Sequence, residues 1–291
     1  MSHQRQLSIR GNSGCVVSVV ETPRGAVVVK SAAGLQSDRL RLQIDKQQAA
    51  RRSNTLPYVR VPAVLDETTD GDAYAATMEY VYFQSAPEFF NRASIADIGR
   101  VAGHVVGFVQ GELERSTTTR VPIDPVVTKL DTIEASLAPT PRWQQYSPHV
   151  LRLRAQALDF GAMDLPIGAC HGDLTMSNIM IASDSSAIAL IDFLDSFIES
   201  PLIDLAKLRQ DTRFHWSALM TEAAVDGLRY RQVMGALDER LQEPFAGLDW
   251  HANYLGFMTE LTLLRIAPYA TGPAVHDFIL QSLSQPSPHD H

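Results

Sequence analysis

Two cysteines in 291 residues, Cys15 and Cys170, are too few and too far apart for a disulfide framework or a cysteine-based zinc site. They read instead as small buried apolar residues. Long apolar runs are missing as well. The longest, CVVSVV and AVVV, have the length of strands, far short of the roughly 18 residues that span a bilayer. The start, MSHQRQLS, lacks the apolar core of a secretion signal. These absences predict a cytoplasmic protein with no membrane partner. Clustered positive charge is absent too, with 25 Lys and Arg against 33 Asp and Glu and a net charge of -8. Residues 1–80 carry 10 basic and 8 acidic groups, residues 81–195 carry 8 and 13, and residues 196–291 carry 7 and 12. Such a field argues against a nucleic-acid partner, which is gripped by clustered Lys and Arg. It would suit a cationic substrate, or it simply keeps the chain soluble. The 9 histidines are scattered and form no metal-binding spacing.

What is present divides the chain in two. From residue 6 the pattern is strand, turn, strand: QLSIRG, CVVSVVETP, the turn PRG, then AVVVKSA. A helix is expected over 37–52, with Ser37 as its cap and Leu42, Asp45 and Ala49 on one face. Two further strands follow, VRVPAVLDE and AYAATMEYV, around the turn TTDGD. Beyond residue 80 the pattern turns helical, beginning at 94–114, where Ser94 and Asp97 form a capping signature. Further helices are expected near 125–138, 147–160, 202–212, 217–241, 250–268 and 273–284. NIMIA and AIALID interrupt them as a short hairpin. The expected fold class is α+β, with a small antiparallel sheet and one helix over 1–80 and a mainly helical part over 81–291.

The chemistry gathers in HGDLTMSN, residues 171–178, and in Asp192 at the end of AIALID. Phosphoryl transfer asks a protein to position and neutralise, so it needs a carboxylate at the attacking hydroxyl, oxygen ligands for magnesium and a cation on the phosphates. Asp173 is the candidate for the first role, Asn178 and Asp192 for the second. Singly, each would be read as a turn residue, since Asp and Asn bond their own backbone. Together, His, Gly, Asp and Asn at these offsets should arise by chance in on the order of one chain in a thousand of this length.

HGDLTMSN, IDF at 191–193 and PLIDLAKL at 201–208 resemble the aminoglycoside phosphotransferase and choline kinase group, which has the protein-kinase-like two-lobe fold. The resemblance implies ATP and Mg2+ as cofactors and a small-molecule hydroxyl as acceptor. It gives Asp173 the catalytic role and Asn178 and Asp192 the metal, with Leu194 standing where protein kinases have the glycine of DFG. Asp204 is implied to brace the catalytic loop, and Asp195 is read as a solvated turn residue. Upstream it implies that Lys30 meets the nucleotide phosphates and that an acid on the next helix holds it; Asp45 is the candidate, one methylene shorter than the usual Glu. Gly11, Ser13 and Gly14 of GNSG would close over the phosphates, although a full G-x-G-x-x-G is lacking. The backbone at Glu79 to Val81 would meet the adenine.

The acceptor is left open. Aromatic residues beside acids such as Glu260 would suit an aminoglycoside or a choline-like alcohol. The string IDFLDSFIESPLIDLAKLRQDT also resembles phosphotransferase-like proteins of bacterial surface-polysaccharide systems, which implies a sugar or sugar acid, with Arg213 and Arg265 as its anchors. Two other functions are compatible with these motifs: a nucleotide-binding pseudokinase without turnover, and a protein kinase. The second conflicts with the direct run from IDF into SPLIDLAKL, which leaves little room for an activation loop.

Overall fold

Alternation of apolar and polar residues builds a five-stranded antiparallel sheet at the start of the chain. The computed structural model describes residues 6–10 through their backbone, and residues 15–220 and 226–285. Gln6–Arg10 (β1), Val16–Thr22 (β2) and Gly25–Ala33 (β3) run antiparallel in sequence, and Gly25, at φ 116°, makes the tight β2–β3 turn that a side chain would resist. Leu35–Ser53 (α1) follows, then Val59–Arg60 (β4), Val64–Asp70 (β5) and Ala73–Glu79 (β6). The sheet order is β1-β2-β3-β6-β5. Every second residue of β6 is buried, and Tyr74, Ala76 and Met78 pack with Cys15, Leu40 and Ile44 into a small core under α1.

The remainder is mainly helical. Gln84–Ser85 (β7) and Ala86–Phe90 (α2) lead into Ile95–Glu114 (α3), where Ser94 and Asp97 form the expected capping box. Thr117–Pro122 (β8), Asp124–Leu137 (α4), Trp143–Phe160 (α5) and Ala162–Ile167 (β9) come next. The short strands Ile179–Ile181 (β10) and Ile188–Leu190 (β11) then carry the motif. Pro201–Thr212 (α6), Trp216–Met220 (α7), Gly227–Gln242 (α8), Asp249–Leu264 (α9) and Pro273–Leu283 (α10) complete the chain. Every residue of α6 is buried, and it packs on α8, α9 and α3 at the centre of a second, larger core. Each fully buried leucine there, such as Leu202 or Leu208, contributes about 2 kcal/mol. Among the described residues no helix is long and apolar enough to cross a membrane.

Four local expectations change. VRVPAVLDE is two strands: β4 pairs in parallel with β11 in a second sheet, and only β5 joins the first. Pro62 lies between them, where a residue without an N–H cannot continue a ladder. Ser37 does not cap α1; Gly34 does, and the Ser37 hydroxyl donates back to the Gly34 carbonyl at 2.7 Å. The helix expected over 217–241 is two helices, α7 and α8. The pair β8–β9, joined antiparallel across two intervening helices, went unforeseen because TTTRVP and AMDLPI give weak alternation and their partnership is remote in sequence.

Candidate active site

The hairpin β10–β11 sets the geometry. Its register pairs Ile179 with Leu190, and the Ile191 N–H donates to the Asn178 carbonyl at 3.1 Å. Asn178 therefore leaves one strand end just where Asp192 leaves the other. Asp192 has φ 63°, a left-handed conformation that Asp tolerates better than most residues and that an L side chain adopts only under firm constraint.

Asp173 lies across the same end of the hairpin. Its Oδ2 accepts from the Asn178 amide at 3.0 Å, and its Oδ1 faces the Lys207 ammonium of α6 at 3.1 Å. Burial alone would raise its pKa, but Lys207, with His171 and the Asn178 amide, outweighs it and holds the carboxyl below the usual range. Asp173 is thus a carboxylate at neutral pH, with a quarter of its side chain open to solvent. The Asn178 amide nitrogen is committed to Asp173, which turns its oxygen to other uses.

The loop is braced from below. Asp204 accepts from the His171 and Gly172 backbone N–H groups at 2.6 and 2.8 Å, as expected of it. A second brace, unforeseen, is Asp211, which accepts from Met176 N–H at 2.6 Å and from Ser217 N–H. Burial pushes Asp204 up to about 7 and Asp211 up to about 6, against the pull of these backbone donors.

Lys30, on β3, reaches into the site and forms an ion pair with Asp192. Asp45 does not hold it. That carboxylate lies on the exposed face of α1 with Leu42 and Ala49, whereas Ser37, Leu40, Gln43, Ile44 and Gln47 face the sheet. The shared face expected from the spacing is real, but it is the solvent face. The α1 residue that does enter the site is Lys46, which donates to the Leu194 carbonyl and to Glu199, each at 2.6 Å. Burial would lower Lys46, yet Cys170, Glu199 and Asp204 outweigh it and keep the ammonium above its ordinary value. Glu79 ends β6, where its carboxylate pairs with Arg60, and buried Val81 lies in the stretch that leads on to β7. Gly11, Ser13 and Gly14 lie outside the described residues.

Residues 6–240 match the profile of the phosphotransferase enzyme family. The chain belongs to that family. Solved structures agree on the fold. The aminoglycoside-3'-phosphotransferase of type VIII aligns with a TM-score of 0.57 at 16% identity, covering 93% of this chain and 95% of that one. A streptomycin–ATP complex of APH(2")-IIa aligns at 0.57 and 11%, covering 97% and 91%. ADP-bound aminoglycoside phosphotransferase APH(2'')-Ib aligns at 0.56 and 12%, covering 98% and 93%. No curated protein matches the chain by sequence.

In this phosphotransferase the Asn178 oxygen and the Asp192 carboxylate are the motif's groups that could offer oxygen to a metal. Among the described residues no group of three or more His, Cys, Asp or Glu side chains is placed to hold an ion. Two hard oxygen donors suit magnesium, which takes few protein ligands and completes its shell with phosphates and water.

His171 is buried and locked in one tautomer. Its Nε2 lies 2.8 Å from the Ile191 carbonyl, which can only accept, and its Nδ1 accepts from the Asp173 N–H at 3.3 Å. Burial lowers its pKa from 6.5 to about 4, although Asp173 and Asp192 act the other way. The folded protein therefore binds fewer protons than the unfolded chain between these values. Stability held above pH 6.5 is lost as pH falls toward 4, by about 3 kcal/mol from this group. Asp204 and Asp211, whose raised values favour the fold as pH falls, oppose this loss, so the His171 share is read as a difference: urea denaturation at pH 7 and pH 4.5 should show His171→Gln losing less stability, or gaining more, than wild type. An equal change in the variant would assign the acid sensitivity to other groups.

Proposed function

We propose that this phosphotransferase transfers the γ-phosphoryl group of ATP, with magnesium, to a hydroxyl of a small molecule. One observation carries the proposal: an ionised Asp173 is held by the Asn178 amide and the Lys207 ammonium, while Asp192, at the neighbouring strand end of the same hairpin, pairs with the Lys30 ammonium. Asp173 orients the acceptor hydroxyl and takes its proton as the oxygen bonds to phosphorus and the bond to ADP breaks. Lys207 keeps that carboxylate charged in a half-buried place. Lys30 exchanges Asp192 for the phosphates when nucleotide enters, which leaves the Asp192 carboxylate free. Asn178 and Asp192 would hold a magnesium ion, which when bound would neutralise charge on the triphosphate. In this reading residues 1–80 bind the nucleotide, with the backbone at Glu79 to Val81 beside the adenine, and residues 81–291 carry the acceptor site. The ATP of the APH(2")-IIa complex and the ADP of APH(2'')-Ib support the choice of nucleotide.

The test is magnesium-dependent ADP release with aminoglycosides, choline-like alcohols and sugars, with product mass as the readout. A mass gain of one phosphoryl group on an acceptor is expected. The proposal fails if the protein binds nucleotide, phosphorylates none of these or a cell-metabolite extract, and releases ADP no differently after Asp173→Ala.

A further inference from the structure

Positive charge gathers around Arg265 in a protein that is negative overall. Arg265 follows α9, its guanidinium lies 5.0 Å from the ring centre of Phe197, and its Nη1 is buried with no hydrogen-bond acceptor. Lys129, half-buried on α4, makes no hydrogen bond or ion pair among the described residues, and α4 packs on the 3-10 turn Ala267–Tyr269 just beyond Arg265. Arg39, reaching over from α1, makes a long contact of 3.9 Å with Asp195.

These groups feel one another. Burial lowers Lys129, and the charges of Arg265 and Arg39 lower it further, with Asp195 opposing. Burial also lowers Arg265, Arg39 adds to this, and Asp173, Tyr269 and Asp195 oppose it. Of those carboxylates, Asp173 is already committed to Lys207 and Asn178, and Asp195 is exposed. Three cations thus share one loosely held carboxylate. A half-buried cation without a full partner is costly, and a bound anion would offset that cost.

We propose that Arg265, Lys129 and Arg39 form the acceptor subsite for an anionic hydroxyl compound, a sugar acid or a sugar phosphate, whose free hydroxyl is presented to Asp173. The inference rests on the phosphotransferase reading above and narrows it. An amine-bearing acceptor would bring a fourth positive charge to this place, so aminoglycosides and choline-like alcohols are disfavoured.

The experiment measures binding of glucuronate, glucose 6-phosphate, glucose and glucosamine to the full chain by calorimetry, with a non-hydrolysable ATP analogue and magnesium present. The two anions should bind at least tenfold more tightly than glucose, and glucosamine most weakly. Whichever anion binds tighter tells carboxylate from phosphate ester. Lys129→Gln and Arg265→Met should each weaken the anions about tenfold and leave affinity for the ATP analogue within twofold. Should Arg265→Met fail to fold, Lys129→Gln and Arg39→Gln carry the same test. The inference is overturned if neither anion binds, if glucose or glucosamine binds as well as the anions, or if the variants weaken the nucleotide instead. Anion binding without any phosphoryl transfer would overturn the phosphotransferase reading and leave an anion site.

Discussion

Asp173→Asn lowers kcat by on the order of a thousandfold while the affinity for nucleotide stays within about threefold. The size follows from the role: a positioned group that takes a proton in the transition state contributes roughly a hundred to ten thousandfold. Asn keeps the volume and can still accept from the Asn178 amide, but it can neither take a proton nor pair with Lys207. The ammonium on α6, left with only the Gln210 amide oxygen at 3.3 Å, then costs about 1 to 3 kcal/mol of stability, so thermal unfolding is measured beside turnover to keep the two effects apart. Nucleotide titration supplies the third measurement. Activity within tenfold of wild type would remove Asp173 from the chemistry.

Gly172→Ala is the substitution expected to harm folding most. At φ 83° an L side chain is strained whatever the space, and here there is none: a Cβ would come within 2.0 Å of the Leu194 carbonyl oxygen and 3.1 Å of the Lys46 ammonium. Neither neighbour can retreat, because Leu194 N–H donates to His171 O at 3.0 Å and its carbonyl accepts from Lys46 at 2.6 Å. Strain and overpacking together cost about 3 to 5 kcal/mol, read from urea denaturation. Gly235→Ala in α8 is the control. Nothing lies within 4 Å of its added methyl, so helix propensity alone predicts a gain of up to about 1 kcal/mol. A Gly172→Ala variant as stable as wild type would mean that the loop has room the contacts deny.

The difference between these two glycines marks what the sequence reveals. HGDLTMSN announced the loop because Asp173 and Asn178 stand at a fixed short offset, and short range in sequence became short range in space; the brace Asp204, far along the chain, came only from the resemblance. The capping residues of α3 were readable for the same local reason. Lys207 was not: inside an apolar helix start it reads as an isolated charge, and only the packing of α6 beneath the loop brings it to Asp173. Asp45 was misread because helical spacing tells which residues share a face, not which face turns inward. The cluster of Arg265, Lys129 and Arg39 draws on three helices far apart in the chain, and no window of sequence contains it.

The bond from Lys46 to Glu199 and to the Leu194 carbonyl also bears on how fast ligands come and go. One end belongs to α1, against the five-stranded sheet, and the other to the segment between Asp192 and α6. Widening the gap between the two cores strips a partly dehydrated ammonium of its acceptors, which raises the barrier to product escape. If the proposed function holds, this latch sets how long ADP dwells, and a shorter dwell after Lys46→Met, at unchanged chemistry, would be its signature.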